Sequence, residues 1–259
     1  MSVDLRFGGI VRLYGEDAFA AFQNAHVCVI GIGGVGSWVA EALARSGIGE
    51  ITLIDQDDVC ETNINRQIHA VTDTVGRDKN TVMAERIYGI NPECLVHEEA
   101  CFISKENVAE LIDDRFDYVI DAIDSVKDKA AVIAHCRRNK VPVVTVGGAG
   151  GQVDPTAVTV VDLSKTYNDP LAAKTRSFLR RHYGFNKTGK KFSVECVFST
   201  EQLKYPQPDG SVCNQKTVTD GQTRLDCSGG FGAATVVTAT FGMIAASRAL
   251  NRIAALAKA

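Results

Sequence analysis

The chain's strongest constraint is a glycine cluster, Gly31-Ile32-Gly33-Gly34-Val35-Gly36, set between segments of different periodicity. Residues 26–31 (HVCVIG) form a short continuous apolar run, as expected of a strand covered on both faces of a parallel sheet. Residues 37–46 (SWVAEALARS) have helical composition and stop at Gly47 and Gly49, and residues 50–54 (EITLI) read as a second strand. Strand, glycine turn, helix and strand in direct succession predict a βαβ unit with a right-handed crossover.

The alternation continues. Residues 79–90 predict a helix ended by Asn91-Pro92, 94–101 a strand, 105–111 a helix, 118–122 a strand, 127–139 a helix, and 141–146 a strand running into Gly147-Gly148-Ala149-Gly150-Gly151. The expected fold is α/β, a Rossmann-like, mostly parallel sheet flanked by helices, which binds ligands outside the carboxyl ends of its strands. Beyond Gly151 the periodicity weakens: 152–163 alternates like β structure and 202–227 is turn-rich, an irregular C-terminal extension. Without a long Gly/Ser/Pro linker, 1–259 is expected to be one domain, with a nucleotide-binding half at about 1–151 and a C-terminal part at 152–259.

The glycines of Gly31, Gly33, Gly34 and Gly36 let backbone approach a phosphate at a helix N-terminus, where free N–H groups and the dipole favour negative charge. Asp55, 19 residues after Gly36 at the end of the next strand, is placed to accept hydrogen bonds from a ribose. That pattern alone does not separate NAD from ATP. The residues after Asp55 do: Asn63, Asn65, Arg66 and Gln67 bring a guanidinium and amides, and Lys79 follows 13 residues after Arg66. Such cations suit a triphosphate rather than a nicotinamide. Asp121 and Asp124 place carboxylates at another strand's carboxyl end, as Mg²⁺ requires when it also takes phosphate oxygens. Read singly, Arg66 or Lys79 could instead pair with Asp57 or Asp58, and Asp121 could cap a helix.

Charge is unevenly distributed. Segment 165–191 holds eight Lys/Arg against one acid, a net +7 within a chain of net −3. Lys174, Arg176, Arg180, Arg181, Lys187, Lys190 and Lys191 are the candidates for contacts to a polyanion such as RNA. In 174–184, Lys174, Arg180 and Arg181 are expected on the outer face, with Leu171, Phe178 and Leu179 packing inward. The eight cysteines include no CxxC pair, and the first 15 residues have no apolar run, so a reduced, cytoplasmic setting is expected. Residues 228–246 are uncharged and read as a buried helix, membrane attachment being the lesser alternative.

The combination GIGGVGSWVAEALARSGIG, LIDQDDV, TNINRQ, the Lys79 spacing and DAIDS resembles the E1-like superfamily of ATP-dependent adenylating enzymes. The resemblance implies that Asp55 holds the ribose, that Asn63, Arg66, Gln67 and Lys79 hold the phosphates, and that Asp124 governs Mg²⁺ and the α-phosphate, with Asp57 and Asp121 beside them. Catalysis is assigned to Arg66, Lys79 and Asp124. Relatives that activate sulfur carriers use two CxxC pairs for zinc; this chain lacks them, so no zinc is expected. Relatives also donate an N-terminal arginine across a dimer interface; here only Arg6 or Arg12 is available for that role. RFGGIVRLYG, GGAGGQVDPT, FSTEQLKYPQPDGSVC and DCSGGFGAAT extend the similarity to the bacterial branch that cyclises threonylcarbamoyladenosine in tRNA, associated with a cysteine desulfurase system. That branch implies ATP, Mg²⁺, the modified tRNA, a homodimer and desulfurase or sulfur-acceptor partners. The alternative is a sulfur-relay or carrier-protein-activating enzyme, with Cys227 or Cys213 as its thiol; an NAD oxidoreductase would rest on the glycine motif alone.

Overall fold

Strand β1 (His26–Ile30) is buried at every position, which is why its sequence shows no alternation. It pairs in parallel with β2 (Glu50–Ile54), and β2 in turn with β3 (Leu95–Glu99). On its other side β1 pairs with β4 (Tyr118–Asp121), followed outward by β5 (Val143–Val146). Two strands complete the sheet: β6 (Val158–Asp162) at the edge and β7 (Glu195–Ser199) between β5 and β6. The order β3-β2-β1-β4-β5-β7-β6 is parallel except for β6, which runs antiparallel to β7. This is a computed structural model, and it describes residues 5–207, 209–214 and 231–257.

Strand order reverses between β1 and β4, the point at the carboxyl ends where sheets of this type bind their ligands. Two apolar layers cover the sheet. One joins Val27, Val29, Ile51, Leu53 and Ile120 to helices α1 (Gly8–Tyr14), α2 (Glu16–Asn24), α3 (Gly36–Arg45) and, through Met83 and Ile87, α4 (Lys79–Ile90). The other joins Cys28, Ile30, Val119 and Phe198 to α5 (Val108–Leu111), α6 (Val126–Asn139) and α7 (Pro170–His182). The 22-residue α8 (Thr235–Leu256) belongs to the first layer and lies on α3 so closely that a Cβ on Gly242 would come 2.7 Å from Val35 O.

Several expectations change in detail. The strand expected at 94–101 is shorter, and the helix at 105–111 starts only at Val108, because the Asn107 side chain first closes a turn onto the Ser104 amide (2.7 Å). Of the 152–163 stretch, only Val158–Asp162 is strand; Pro155–Ala157 turns as a 3₁₀ helix capped by Asp154. The buried helix expected at 228–246 begins at Thr235 and runs on to Leu256; residues 228–230 lie outside the described residues, as does Cys227. Among the described residues, no helix is long and apolar enough to cross a membrane.

Candidate functional site

Gly31 leaves β1 with φ +85°, its N–H donating to Ile54 O at 2.9 Å, and so swings the chain across the end of β2. The turn then tucks under itself: a Cβ on Gly36 would lie 1.8 Å from Gly31 O, so only hydrogen fits there. Three groups of residues ring this turn. The Arg66 stem lies over Gly34 and the Gln67 amide over Gly33, at 3.3 and 3.8 Å from where Cβ atoms would stand. Ile123, next to Asp124, lies against Gly31. Asp55 closes the third side, accepting from the N–H of Ile32 (2.6 Å) and of Asp57 (2.9 Å). Burial pushes the Asp55 carboxyl above the usual carboxylate range; nearby Lys79 and those two N–H groups oppose that shift.

Lys79 is almost wholly buried at the start of α4, and its Nζ donates to Asp57 Oδ2 at 2.9 Å. The pairing read as an alternative for Lys79 is therefore present, with the solvent-facing Asp57 as the partner that a phosphate would compete with. Asn63 turns inward, its Oδ1 accepting from the Cys60 N–H at 3.1 Å. Arg66 Nη1 donates to Thr62 O (2.7 Å) and to Asn65 Oδ1 (3.0 Å), which fixes the guanidinium beside the turn. Asp124 is exposed and makes no hydrogen bond or ion pair among the described residues.

Asp121 is a correction. Its carboxylate is fully buried and accepts from Lys129 Nζ (2.8 Å) and Thr145 Oγ1 (2.6 Å), so it cannot touch a nucleotide or a metal ion in the crevice. It locks the α6 N-terminus to β4 and β5 instead.

Other contributors gave little signal in sequence. Trp38 Nε1 donates to Arg66 O (3.0 Å), and Asn65 is tied to α8 through Ala233 O (2.8 Å) and the Thr235 hydroxyl (2.5 Å). Asn80 braces the ends of β2 and β3 by donating to Asp55 O (2.8 Å) and Glu99 O (3.2 Å). Among the described residues, the buried Gln67 Oε1 and both ring nitrogens of His69 have no partner. Burial, reinforced by Lys79 and Arg86, pushes the His69 imidazole down to about 4. Unpartnered buried polar atoms are costly, and here they sit beside a cationic crevice.

The basic segment divides in two. Lys174, Arg181, Lys187, Lys190 and Lys191 are exposed, and Leu179 is buried as expected. Arg180 lies over the Phe192 ring at 5.3 Å with Nε donating to Asn186 O at 3.3 Å, and Arg176 is half-buried against Thr166. Burial pushes the thiols of Cys94 and Cys136 up to about 12 and raises those of Cys28 and Cys196, so these four are core atoms rather than nucleophiles. Cys213 is half-buried, with Gln207 Nε2 at 3.0 Å from its Sγ.

A mostly parallel sheet with its glycine turn, buried carboxylate and buried lysine at one end defines an E1-like nucleotide-binding protein, and the chain belongs to the ThiF family, whose profile matches residues 9–259. More particularly, it is 61% identical to the Escherichia coli tRNA threonylcarbamoyladenosine dehydratase, over 97% of this chain and 94% of that protein. It is 55% identical to the Haemophilus influenzae protein of the same name, over 96% and 93% of the two chains. The solved E. coli dehydratase, TcdA, in complex with ATP superposes with a TM-score of 0.86 at 56% identity, covering 98% of this chain and 95% of that one. Likeness over nearly the whole length favours the tRNA-modifying reading over the sulfur-relay alternative.

Proposed function

We propose that this chain is an ATP-dependent dehydratase that cyclises threonylcarbamoyladenosine in tRNA. One observation carries the reading: a crevice bearing Arg66, Lys79 and Asp124 around a glycine turn, in a chain similar end to end to dehydratases of that name. A threonyl carboxylate oxygen attacks the α-phosphorus of ATP and pyrophosphate leaves. A neighbouring atom of the same side chain then attacks the acyl carbon and AMP leaves with the carboxylate oxygen, for a net loss of one water from the nucleoside.

Lys79 and Arg66 balance the charge that builds as the α-phosphate becomes crowded, and Asp55 orients the ribose. Lys79 exchanges Asp57 for a phosphate oxygen on binding. Asp124, together with phosphate oxygens, supplies the kind of site Mg²⁺ takes, and the ion when bound adds charge neutralisation there. The exposed cations of 174–191 meet tRNA phosphates. The E1-like pattern supports a cytoplasmic homodimer that works alongside a cysteine desulfurase.

Purified protein incubated with ATP, Mg²⁺ and the modified tRNA is expected to yield a nucleoside lighter by one water and to convert ATP to AMP. Lys79→Ala and Arg66→Ala should each lower that turnover by about 100-fold or more, in line with the loss of a transition-state charge contact. Release of ADP, or undiminished turnover in both variants, would refute the proposal.

A further inference from the structure

Asp169 joins two elements at the crevice edge of the sheet. Its Oδ1 caps α7 through the Ala172 N–H (2.9 Å), and its Oδ2 accepts from the Gly148 N–H (3.0 Å), just beyond β5. The fit leaves Gly147 no alternative, since a Cβ there would fall 1.8 Å from Asp169 Oδ2. Behind this joint lies a cavity of about 440 Å³, lined among others by Asn168, Asp169, Arg176, Gln202, Tyr205 and Asn214. It opens at the carboxyl ends of β5 and β7, while Asp124 follows β4, the neighbour of β5. Strands lie about 5 Å apart, so one or two spacings, about 5–10 Å across the sheet, separate the cavity from the metal-side carboxylate.

Arg176 distinguishes this cavity from an ordinary surface cleft. It is half-buried, and burial together with Arg180 lowers its pKa, against the pull of Asp169. A guanidinium carries five N–H donors. Among the described residues Arg176 uses one nitrogen, Nη1, toward the Thr166 hydroxyl, and has no carboxylate at ion-pair distance. Asp169 acts on it only from beyond ion-pair distance, its two oxygens accepting from the Gly148 and Ala172 amides. A partly desolvated fork with no anion opposite it calls for a ligand that carries one. Tyr205, Asn168, Gln202 and Asn214 add a ring face and amides suited to a urea-like group.

We infer that this cavity receives the carboxylate-bearing ureido side chain of the modified adenosine, and that Arg176 anchors the threonyl carboxylate within reach of the α-phosphate. The inference rests on the function proposed above. Arg176 would neutralise one carboxylate oxygen and leave the other to attack, which makes it a contact to one side chain rather than to the tRNA backbone.

The test compares binding of one tRNA in two forms, with and without the threonylcarbamoyl group, to the full-length protein with ATP present. The wild type is expected to prefer the modified form. In Arg176→Gln that preference should fall about tenfold or more, the value of a hydrogen bond to a charged group, while affinity for unmodified tRNA and for ATP is retained. An unchanged preference overturns the inference. So does equal weakening of both tRNAs with a shallower salt dependence, which would make Arg176 a phosphate contact. Should Arg176→Gln fail to bind ATP, Arg176→Lys decides: an ammonium lacks the planar fork, so preference should again drop, and full retention overturns the assignment. A wild type that neither prefers nor dehydrates the modified tRNA would instead sink the proposed function itself.

Discussion

Lys129 and Asp121 form an ion pair in which neither charge reaches water, and the cost of losing one member differs from that of losing both. Lys129→Met leaves the Asp121 carboxylate buried with the Thr145 hydroxyl and the Ile123 N–H but no cation beside it, and removing one partner of such a pair costs about 3–5 kcal/mol. Adding Asp121→Asn removes the stranded charge, so the double variant should recover much of that loss in urea denaturation; two additive losses would show that the pair is uncoupled. His69 bears on pH. Its folded-state value of about 4 lies below the ordinary imidazole value, so between the two the unfolded chain holds a proton that the folded chain does not. The contribution is complete above pH ~6.5 and is lost as pH falls toward ~4, amounting to about 2 kcal/mol between pH 7 and pH 5. Wild type should lose that much more stability over this interval than His69→Leu; equal losses in the two proteins would contradict it.

At the scale of elements, the turn between β1 and α3 separates two kinds of glycine. Gly36→Ala drives a methyl into Gly31 O and must open the turn, whereas Gly33→Ala meets only the flexible end of Gln67 at 3.8 Å. ATP binding is therefore expected to vanish in the first and to weaken less than about tenfold in the second, as calorimetric titration would report. This turn was readable in advance because glycine spacing, a fully apolar strand and a helix start all specify it locally. The same holds for α4 and α6, whose observed limits match or nearly match those expected from sequence. What escaped depends on contacts distant in the chain. Helices α1 and α2 are short and split by Gly15, and it is Phe7, Phe19 and Phe22 in the shared core that hold them. Asp121 looks like its neighbour Asp124 in sequence; only the pairing of β4 with β5 and the return of α6 reveal that one points into Lys129 and the other to solvent. The Asp169 bond to Gly148 across the sheet edge is likewise set by residues distant in the chain.

Across the whole molecule, charge and chemistry are placed apart. The crevice holds its cations singly, Lys79 buried and matched to Asp57 and Arg66 half-buried, while the exposed lysines of the loop after α7 stand in solvent. Those two environments respond differently to salt. Exposed charges are screened within about 10 Å at 0.1 M, and their gain on binding a polyanion comes from released counterions. A buried lysine loses far less of its effect on a bound phosphate. Replacing Lys187, Lys190 and Lys191 together by alanine should therefore weaken tRNA binding, modified and unmodified alike. The slope of log affinity against log salt should fall by about 2–3, while ATP affinity and its salt response stay as in the wild type. Filter binding over a range of salt concentrations measures both slopes. A triple variant whose tRNA slope equals that of the wild type would move the RNA-facing surface away from this loop, and a loss of ATP affinity would mean that the loop and the crevice are not separate systems.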